Sequence, residues 1–161
     1  MKVLSSTLKS YIAGFLDGDG CIMMQLVRRK DYLYGYQIRA SIVFYQKTMH
    51  RHHLEWLKEK FVSGYIRDRN DDMTEYTIVG IKPVVAVVKV LKPYVRLKKK
   101  HIEQVLKINK ILQDPLTVTK LIDAAHYVDV FKSLNYSKKR TNTSKELIEY
   151  LRHHKLYPRN D

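Results

Sequence analysis

The chain has 161 residues, and its 30 Lys+Arg outweigh 16 Asp+Glu by +14 with histidines neutral, while 45% of residues are hydrophobic. At roughly 150 residues per domain it is long enough to bury a core as one domain without staples, too apolar for a disordered polycation and too basic for an ordinary metabolic enzyme. A folded domain with this excess calls for a polyanion, nucleic acid first and an anionic membrane surface second.

Residues 7–16 place Leu8, Tyr11, Ile12 and Phe15 at helical spacings, with Ser6 or Thr7 available to cap the start. This helix runs into Asp17-Gly18-Asp19-Gly20. The period then changes to two: Ile22, Met24 and Leu26 face one way, and Met23, Gln25, Val27 and Arg29 the other. After a polar turn at Arg29-Lys30-Asp31, the alternation resumes with Tyr36, Ile38, Ala40, Ile42 and Phe44 against Gln37, Arg39, Ser41 and Val43, completing an antiparallel hairpin. Residues 48–61 return to helical spacing, with Leu54, Leu57 and Phe61 inward and a basic first turn of His50, Arg51, His52 and His53. A second hairpin sets Tyr65, Arg67 and Arg69 against Gly64 and Ile66, turns at Asn70-Asp71-Asp72, and sets Glu75, Thr77 and Val79 against Tyr76 and Ile78.

Pro83 suits the first turn of a helix and Pro93 its end. Further helices are expected over 99–113, 117–134 and 143–152, the last opened by a Thr143 cap with Glu146 three residues on. The order is α-β-β-α-β-β-α followed by more helices: an α+β domain around one four-stranded antiparallel sheet. No linker or repeat divides it, so residues 1–161 read as a single domain, with a core over about 6–135 and a C-terminal loop and helix over about 136–154.

No apolar run approaches the ~20 residues of a membrane-spanning helix, the best being 84–91, which Lys89 interrupts. The first seven residues lack a long apolar segment before a small-residue cleavage site, so no secretory signal is expected. A lone Cys21 excludes an intramolecular disulfide and a cysteine-cluster zinc site, and fits a reducing compartment.

The sheet face away from the helices carries Gln25, Arg29, Gln37, Arg39, Ser41, Tyr65, Arg67, Arg69, Glu75 and Thr77. Arginine forks match guanine O6/N7, glutamine amides match adenine, and small hydroxyls serve either, so this is the vocabulary of major-groove readout by a β-ribbon. A merely solvated face would carry similar residues; net charge tips the reading toward DNA. The runs Arg28-Arg29-Lys30, Lys98-Lys99-Lys100 and Lys138-Lys139-Arg140 can supply sequence-independent affinity for phosphate.

Two carboxylates at a helix C-terminus oppose its macrodipole, so Asp17 and Asp19 imply a cationic neighbour. A helix–loop–helix calcium site is excluded by Ile22 where a glycine belongs and Arg28 where a glutamate belongs. Tyr11-Ile12-Ala13-Gly14-Phe15-Leu16-Asp17-Gly18-Asp19-Gly20 resembles the LAGLIDADG motif, and one copy in this length resembles the single-motif, homodimeric LAGLIDADG homing endonucleases. Phe44-Tyr45-Gln46-Lys47-Thr48, Gly64-Tyr65-Ile66-Arg67-Asp68-Arg69, Ile81-Lys82-Pro83, Leu97-Lys98-Lys99-Lys100 and Leu134-Asn135-Tyr136-Ser137-Lys138 extend the likeness to the algal-organelle intron-encoded branch.

The resemblance implies an αββαββα fold whose sheet forms a DNA-binding saddle, and motif helices packed between two subunits, with Ala13, Gly14 and Asp17 at the interface; ordinary core packing is the alternative for Ala13 and Gly14. It implies a site-specific double-strand endonuclease that cuts a pseudo-palindromic target of ~20 base pairs across the minor groove, leaving short 3′ overhangs. Asp19, with the backbone carbonyl of Gly18, is the implied ligand of a divalent metal; oxygen donors and a phosphate co-ligand favour Mg²⁺, with Mn²⁺ as substitute. No organic cofactor is implied. Gln46 matches the position that orders the hydrolytic water and Lys98 the residue that stabilises developing charge, while His50 or the following Arg51 stands where relatives carry an arginine. Asp17 has a competing structural role in the turn. The sheet residues Gln25, Arg29, Gln37, Arg39, Ser41, Arg67 and Arg69 match base contacts, and Ser137, Lys138 and Arg140 match a loop near phosphates. The implied location is a chloroplast or mitochondrion, or a microbial cytoplasm, without secretion. A nucleic-acid-binding module without cleavage, such as a splicing maturase or a DNA-binding regulator, shares the fold and is the rival reading; Asp19 together with Gln46 and Lys98 favours the nuclease.

Overall fold

The Ser5 side chain, not Ser6 or Thr7, caps the first helix, α1 (Ser6–Asp19), by accepting from the Leu8 N–H. The helix continues through the Asp-Gly-Asp segment, beyond the expected end, and β1 (Gly20–Arg28) starts at the next residue. β2 (Tyr36–Lys47) follows, then a 3₁₀ turn (Thr48–His50), α2 (Arg51–Phe61), β3 (Tyr65–Asp68), β4 (Met73–Val79) and α3 (Ile81–Leu91). The remaining elements are α4 (Lys99–Ile111), α5 (Val118–Asp129), α6 (Phe131–Leu134) and α7 (Ser144–His153). The computed structural model describes residues 2–113, 115–135 and 142–158.

The αββαββα order is as expected, and the four strands form one sheet in the order β1-β2-β4-β3. β4 pairs antiparallel with both β2 and β3, with Val43 opposite Thr77, Tyr45 opposite Glu75, and Arg67 opposite Glu75 on the other side. The expected helix over 117–134 is two: Thr117 caps α5, and α6 is a separate short helix after Val130. Thr143 and Glu146 form the expected capping box of α7.

The chain clusters into two compact units, residues 1–22 with 40–102, and residues 23–39 with 103–161. The first buries Ile12 and Leu16 of α1, Ile42 and Phe44 of β2, Leu54, Leu57 and Phe61 of α2, Tyr76 and Ile78 of β4, and Val84, Val88 and Leu91 of α3. Phe44 is its aromatic hub, with ring centroids 5.4 Å from Phe15, 6.1 Å from Tyr76 and 6.4 Å from Phe61. Each such side chain is worth about 1.5–3 kcal/mol when fully buried, so the apolar alternation of β2 and the helical stripe of α2 stabilise the same core. The second unit buries Met24, Leu26, Val105, Ile108, Leu121, Ala125, Val128, Phe131, Leu147 and Leu151. Within it Tyr150 of α7 packs edge-on to Tyr36 at 5.3 Å, with the Arg28 guanidinium 5.1 Å from its centroid.

Candidate active site and nucleic-acid interface

α1 delivers Asp17, Gly18 and Asp19 in its last turn, and Gly20 makes the abrupt switch into β1 possible. A Cβ at Gly20 would lie 2.8 Å from the Leu16 carbonyl oxygen and 2.6 Å from its side chain, so any larger residue would push strand from helix.

Asp17 meets its cationic neighbour in the segment before α4. Its carboxylate accepts the Arg96 N–H at 2.6 Å and the Lys98 N–H at 3.0 Å, and Lys98 Nζ donates to the Asp17 carbonyl at 3.0 Å. Asp17 thus ties residues 96–98 to the helix end, and the Lys98 ammonium sits where the macrodipole favours positive charge. These contacts give Asp17 a structural role that reaches across the chain to residues 96–98, where the sequence suggested one within the turn. Burial pushes the nearby Cys21 thiol pKa up, partly opposed by the Lys98 charge.

Asp19 is exposed, and Gln46 Nε2 donates to its Oδ2 at 3.3 Å. Gln46 reaches it because, opposite Thr74 at the end of β2, it continues the face of Ile42 and Phe44 rather than the outward face. Asp19 and Gln46 therefore meet directly, while Lys98 is held at the same helix end by Asp17, two residues before Asp19. His50 and Arg51 are not brought to this group by any described contact. Arg51 is ion-paired with Glu55 at 3.4 Å and Asp68 at 3.6 Å, and His50 is exposed with the His52 ring 6.3 Å away.

No group of three or more His, Cys, Asp or Glu that could hold a metal exists among the described residues. One chain offers the Asp19 carboxylate and neighbouring backbone carbonyls. That oxygen-only, incomplete set fits a small hard cation that takes one or two carboxylates and completes its shell with water and phosphate.

The outward sheet positions divide. Gln25, Arg39, Tyr65, Arg67 and Arg69 are exposed and Gln37 is half-exposed. Ser41, Thr77 and Glu75 retain only 3%, 5% and 8% exposure, which corrects the expectation of a uniformly wet face. They occupy the middle strands, where paired neighbours on both sides shade short side chains. Glu75 is also bracketed by Arg67, at 2.8 Å, and Arg69, at 4.0 Å. Arg29 and Arg69 lie just past the ends of β1 and β3 rather than on them. Each is held by an aspartate two residues on: Arg29 by Asp31 and Arg69 by Asp71. The Arg29 guanidinium holds the Asp31 carboxyl down to about 2. These two aspartates were not singled out from the sequence, although the repeated Arg-x-Asp spacing at both turns was there to read. Ser137, Lys138 and Arg140 lie outside the described residues.

Of the residues assigned to a helix–helix interface, Ala13 is fully buried within its own chain, which is the core-packing alternative. Gly14 and Gly18 are exposed, and a Cβ at either would meet nothing within 4 Å. They leave an open strip one turn apart along α1. Beside it Tyr11 is exposed, its hydroxyl 3.3 Å from His53 Nε2. His53 stacks on Trp56 at 5.2 Å and meets Phe15 edge-on at 5.0 Å. Burial first, with the charges of His52 and His50 adding, pushes His53 below the usual histidine pKa.

Residues 12–112 match the family described as LAGLIDADG endonuclease. The chain belongs to the LAGLIDADG endonuclease family. It is similar to the DNA endonuclease I-CvuI of Chlorella vulgaris, 36% identical over 143 residues that cover 89% of each chain. It is also similar to the DNA endonuclease I-CreI of Chlamydomonas reinhardtii, 35% identical over 135 residues covering 83% of this chain and 82% of that one. The crystal structure of the homing endonuclease I-CvuI in complex with its target, in the presence of 2 mM Ca, superposes with a TM-score of 0.88 at 34% identity, over 93% of this chain and 96% of that one. The expected fold class, a four-stranded antiparallel sheet with helices on the homing-endonuclease plan, is thereby established.

Proposed function

We propose that this LAGLIDADG homing endonuclease works as a homodimer on a long, pseudo-palindromic DNA duplex, hydrolysing one phosphodiester in each strand across the minor groove and leaving short 3′ overhangs. The observation that carries the reading is the meeting of Asp19 and Gln46 at 3.3 Å beside a segment that Asp17 ties down with Lys98 on it. A binding module has no use for an exposed carboxylate so placed, because it repels phosphate.

In this reading Asp19 and the Gly18 carbonyl would hold Mg²⁺, with Mn²⁺ as substitute, and a second copy's Asp19 would add to the donor set that one chain leaves short. The metal, when bound, supplies charge neutralisation at the scissile phosphate and a more acidic water. Gln46, its amide already fixed by Asp19, orients the attacking water. Lys98 places its ammonium toward the charge that develops on the phosphate oxygens. The open strip at Gly14 and Gly18 supports close approach of a second α1, and a single-motif chain that cuts two strands needs two copies. Gln25, Gln37, Arg29, Arg39, Arg67 and Arg69 read base edges, and the lysine runs bind phosphate. No helix among the described residues is long and apolar enough to cross a membrane, and likeness to algal relatives supports encoding in an organelle genome.

The test is cleavage of the intron-lacking form of the host gene, or of a randomised duplex pool, with Mg²⁺, read by sequencing both ends. One cut per strand at a two-fold-related site, with 3′ overhangs, is the expected result. Binding to the same duplex without any cut in Mg²⁺ or Mn²⁺ would leave a binding module instead.

A further inference from the structure

The two hairpin turns repeat one arrangement. In the first, Arg29 Nε donates to Asp31 Oδ1 at 2.9 Å and Nη2 to Oδ2 at 2.8 Å. In the second, Arg69 Nε donates to Asp71 Oδ1 at 3.1 Å and Nη2 to Oδ2 at 2.7 Å. Each arginine is the first residue past its strand, each aspartate is two residues further on, and each arginine N–H closes its turn, onto Gly35 O at 2.9 Å and Met73 O at 2.8 Å. Different strand lengths and turn sequences arrive at the same bidentate pair.

Stability does not account for this. Side-chain exposures are 48% and 63% in the first pair and 42% and 52% in the second, and exposed ion pairs contribute little. In a chain of net charge +14 that binds DNA, an acid at each hairpin tip also works against phosphate contact. Geometry offers the reason. A guanidinium has five N–H donors in a fixed fork. The aspartate occupies the side edge, Nε–H and one Nη2–H, and leaves the end edge, Nη1 and the outer Nη2–H, which is the fork that fits guanine O6 and N7. At the first turn the Tyr32 ring lies 5.6 Å from the Arg29 guanidinium and limits its tilt. At the second, Glu75 lies 4.0 Å from Arg69 Nη1, beyond hydrogen-bond reach, so the end edge there is not spent on it.

We propose that Asp31 and Asp71 are specificity-determining positioning residues, which hold Arg29 and Arg69 end-on for guanine and keep both arginines off the phosphate backbone. The proposal rests on the reading of these arginines as base contacts. It follows from two costs. A free arginine loses rotamer freedom on binding, and prior ordering removes part of that cost. A free arginine also gains on any phosphate regardless of sequence, so a carboxylate beside it penalises the non-specific pose more than the specific one, and specificity is that difference.

The experiment is a binding profile over a target library with every base pair varied in turn, sequenced from the bound fraction, for the wild-type chain, D31A, D71A, R29A and R69A, with salt dependence on an unrelated duplex. Arg29→Ala should lower guanine preference about 5- to 100-fold at one position per half-site. Asp31→Ala should lower it about 3- to 10-fold at that same position, with Asp31→Asn between it and wild type. On the unrelated duplex Asp31→Ala should bind more tightly, with a log–log salt slope steeper by about one phosphate. Asp71 should follow the same pattern at the Arg69 position. A structured profile that Asp31→Ala and Asp71→Ala leave unchanged, or change at positions other than those of their arginines, overturns this proposal alone. A wild-type profile flat at every position overturns the base-reading itself, and this proposal with it.

Discussion

Replacing Asp17 with alanine separates what it does for the fold from the chemistry proposed for Asp19. The carboxylate accepts two backbone N–H groups, Arg96 at 2.6 Å and Lys98 at 3.0 Å. Hydrogen bonds to a charged group are worth about 1.5–3 kcal/mol each, and since the Arg96 bond is exposed and its amide can turn to water, the lower figure applies to both, giving about 3 kcal/mol. For a domain of this size that is a fall of about 6–12 °C in Tm. Equilibrium urea unfolding at neutral pH, without DNA, measures it. Asp17→Asn keeps one acceptor oxygen and should lose about half as much. Lys98 loses its anchor with the loop, so cleavage should slow in folded protein, while binding to the target changes little. Asp17→Ala within about 0.5 kcal/mol of wild type, the scatter of ordinary surface changes, would refute the claim that Asp17 fastens residues 96–98 to α1.

Gly64 has φ +87°, and a Cβ there would fall on the Thr77 carbonyl that faces β3, so Gly64→Ala should cost about 2–4 kcal/mol by unfolding and should weaken target binding through Arg67. Gly35, at φ +69°, has the Tyr150 ring where its Cβ would be; Gly35→Ala should destabilise similarly, whereas Gly35→Ala combined with Tyr150→Ala should recover part of the loss as the steric term vanishes. His53 has a folded-state pKa below its unfolded value, so its contribution is present above about pH 6.5 and is lost as pH falls through the lower folded value. His53→Phe keeps the stacking on Trp56 and should flatten the stability–pH curve below that point, read by urea midpoints across pH; an unchanged acid slope would contradict it.

What the sequence disclosed was whatever depends on local period. Alternation at Ile22, Met24 and Leu26 and at Ala40, Ile42 and Phe44 placed the dry face correctly, because parity is a property of the strand itself. Parity does not disclose shading by neighbours, so Ser41 and Thr77 were assigned to water although adjacent strands cover them. The break at Val130 carries no proline or glycine, and α5 and α6 read as one helix. Two carboxylates and two glycines look like a stop, yet α1 runs on to Asp19. What holds the helix together there is the contact of Asp17 with Arg96 and Lys98, some eighty residues away, which no local pattern contains. At the site, the meeting of Asp19 with Gln46 was available only through family resemblance, since Gln46 alone is one glutamine at a strand end. The Asp31 and Asp71 pairs are local, and the repeated Arg-x-Asp spacing that makes them is legible in the sequence.

Asp19→Asn tests the central claim most directly. The substitution preserves shape and removes one negative charge where the proposed reading puts the scissile phosphates. In Mg²⁺, on the duplex that the wild-type chain cuts, cleavage should disappear while affinity stays level or rises. A variant that still cuts both strands at the wild-type rate would contradict the assignment of Asp19 as the carboxylate on which the chemistry depends.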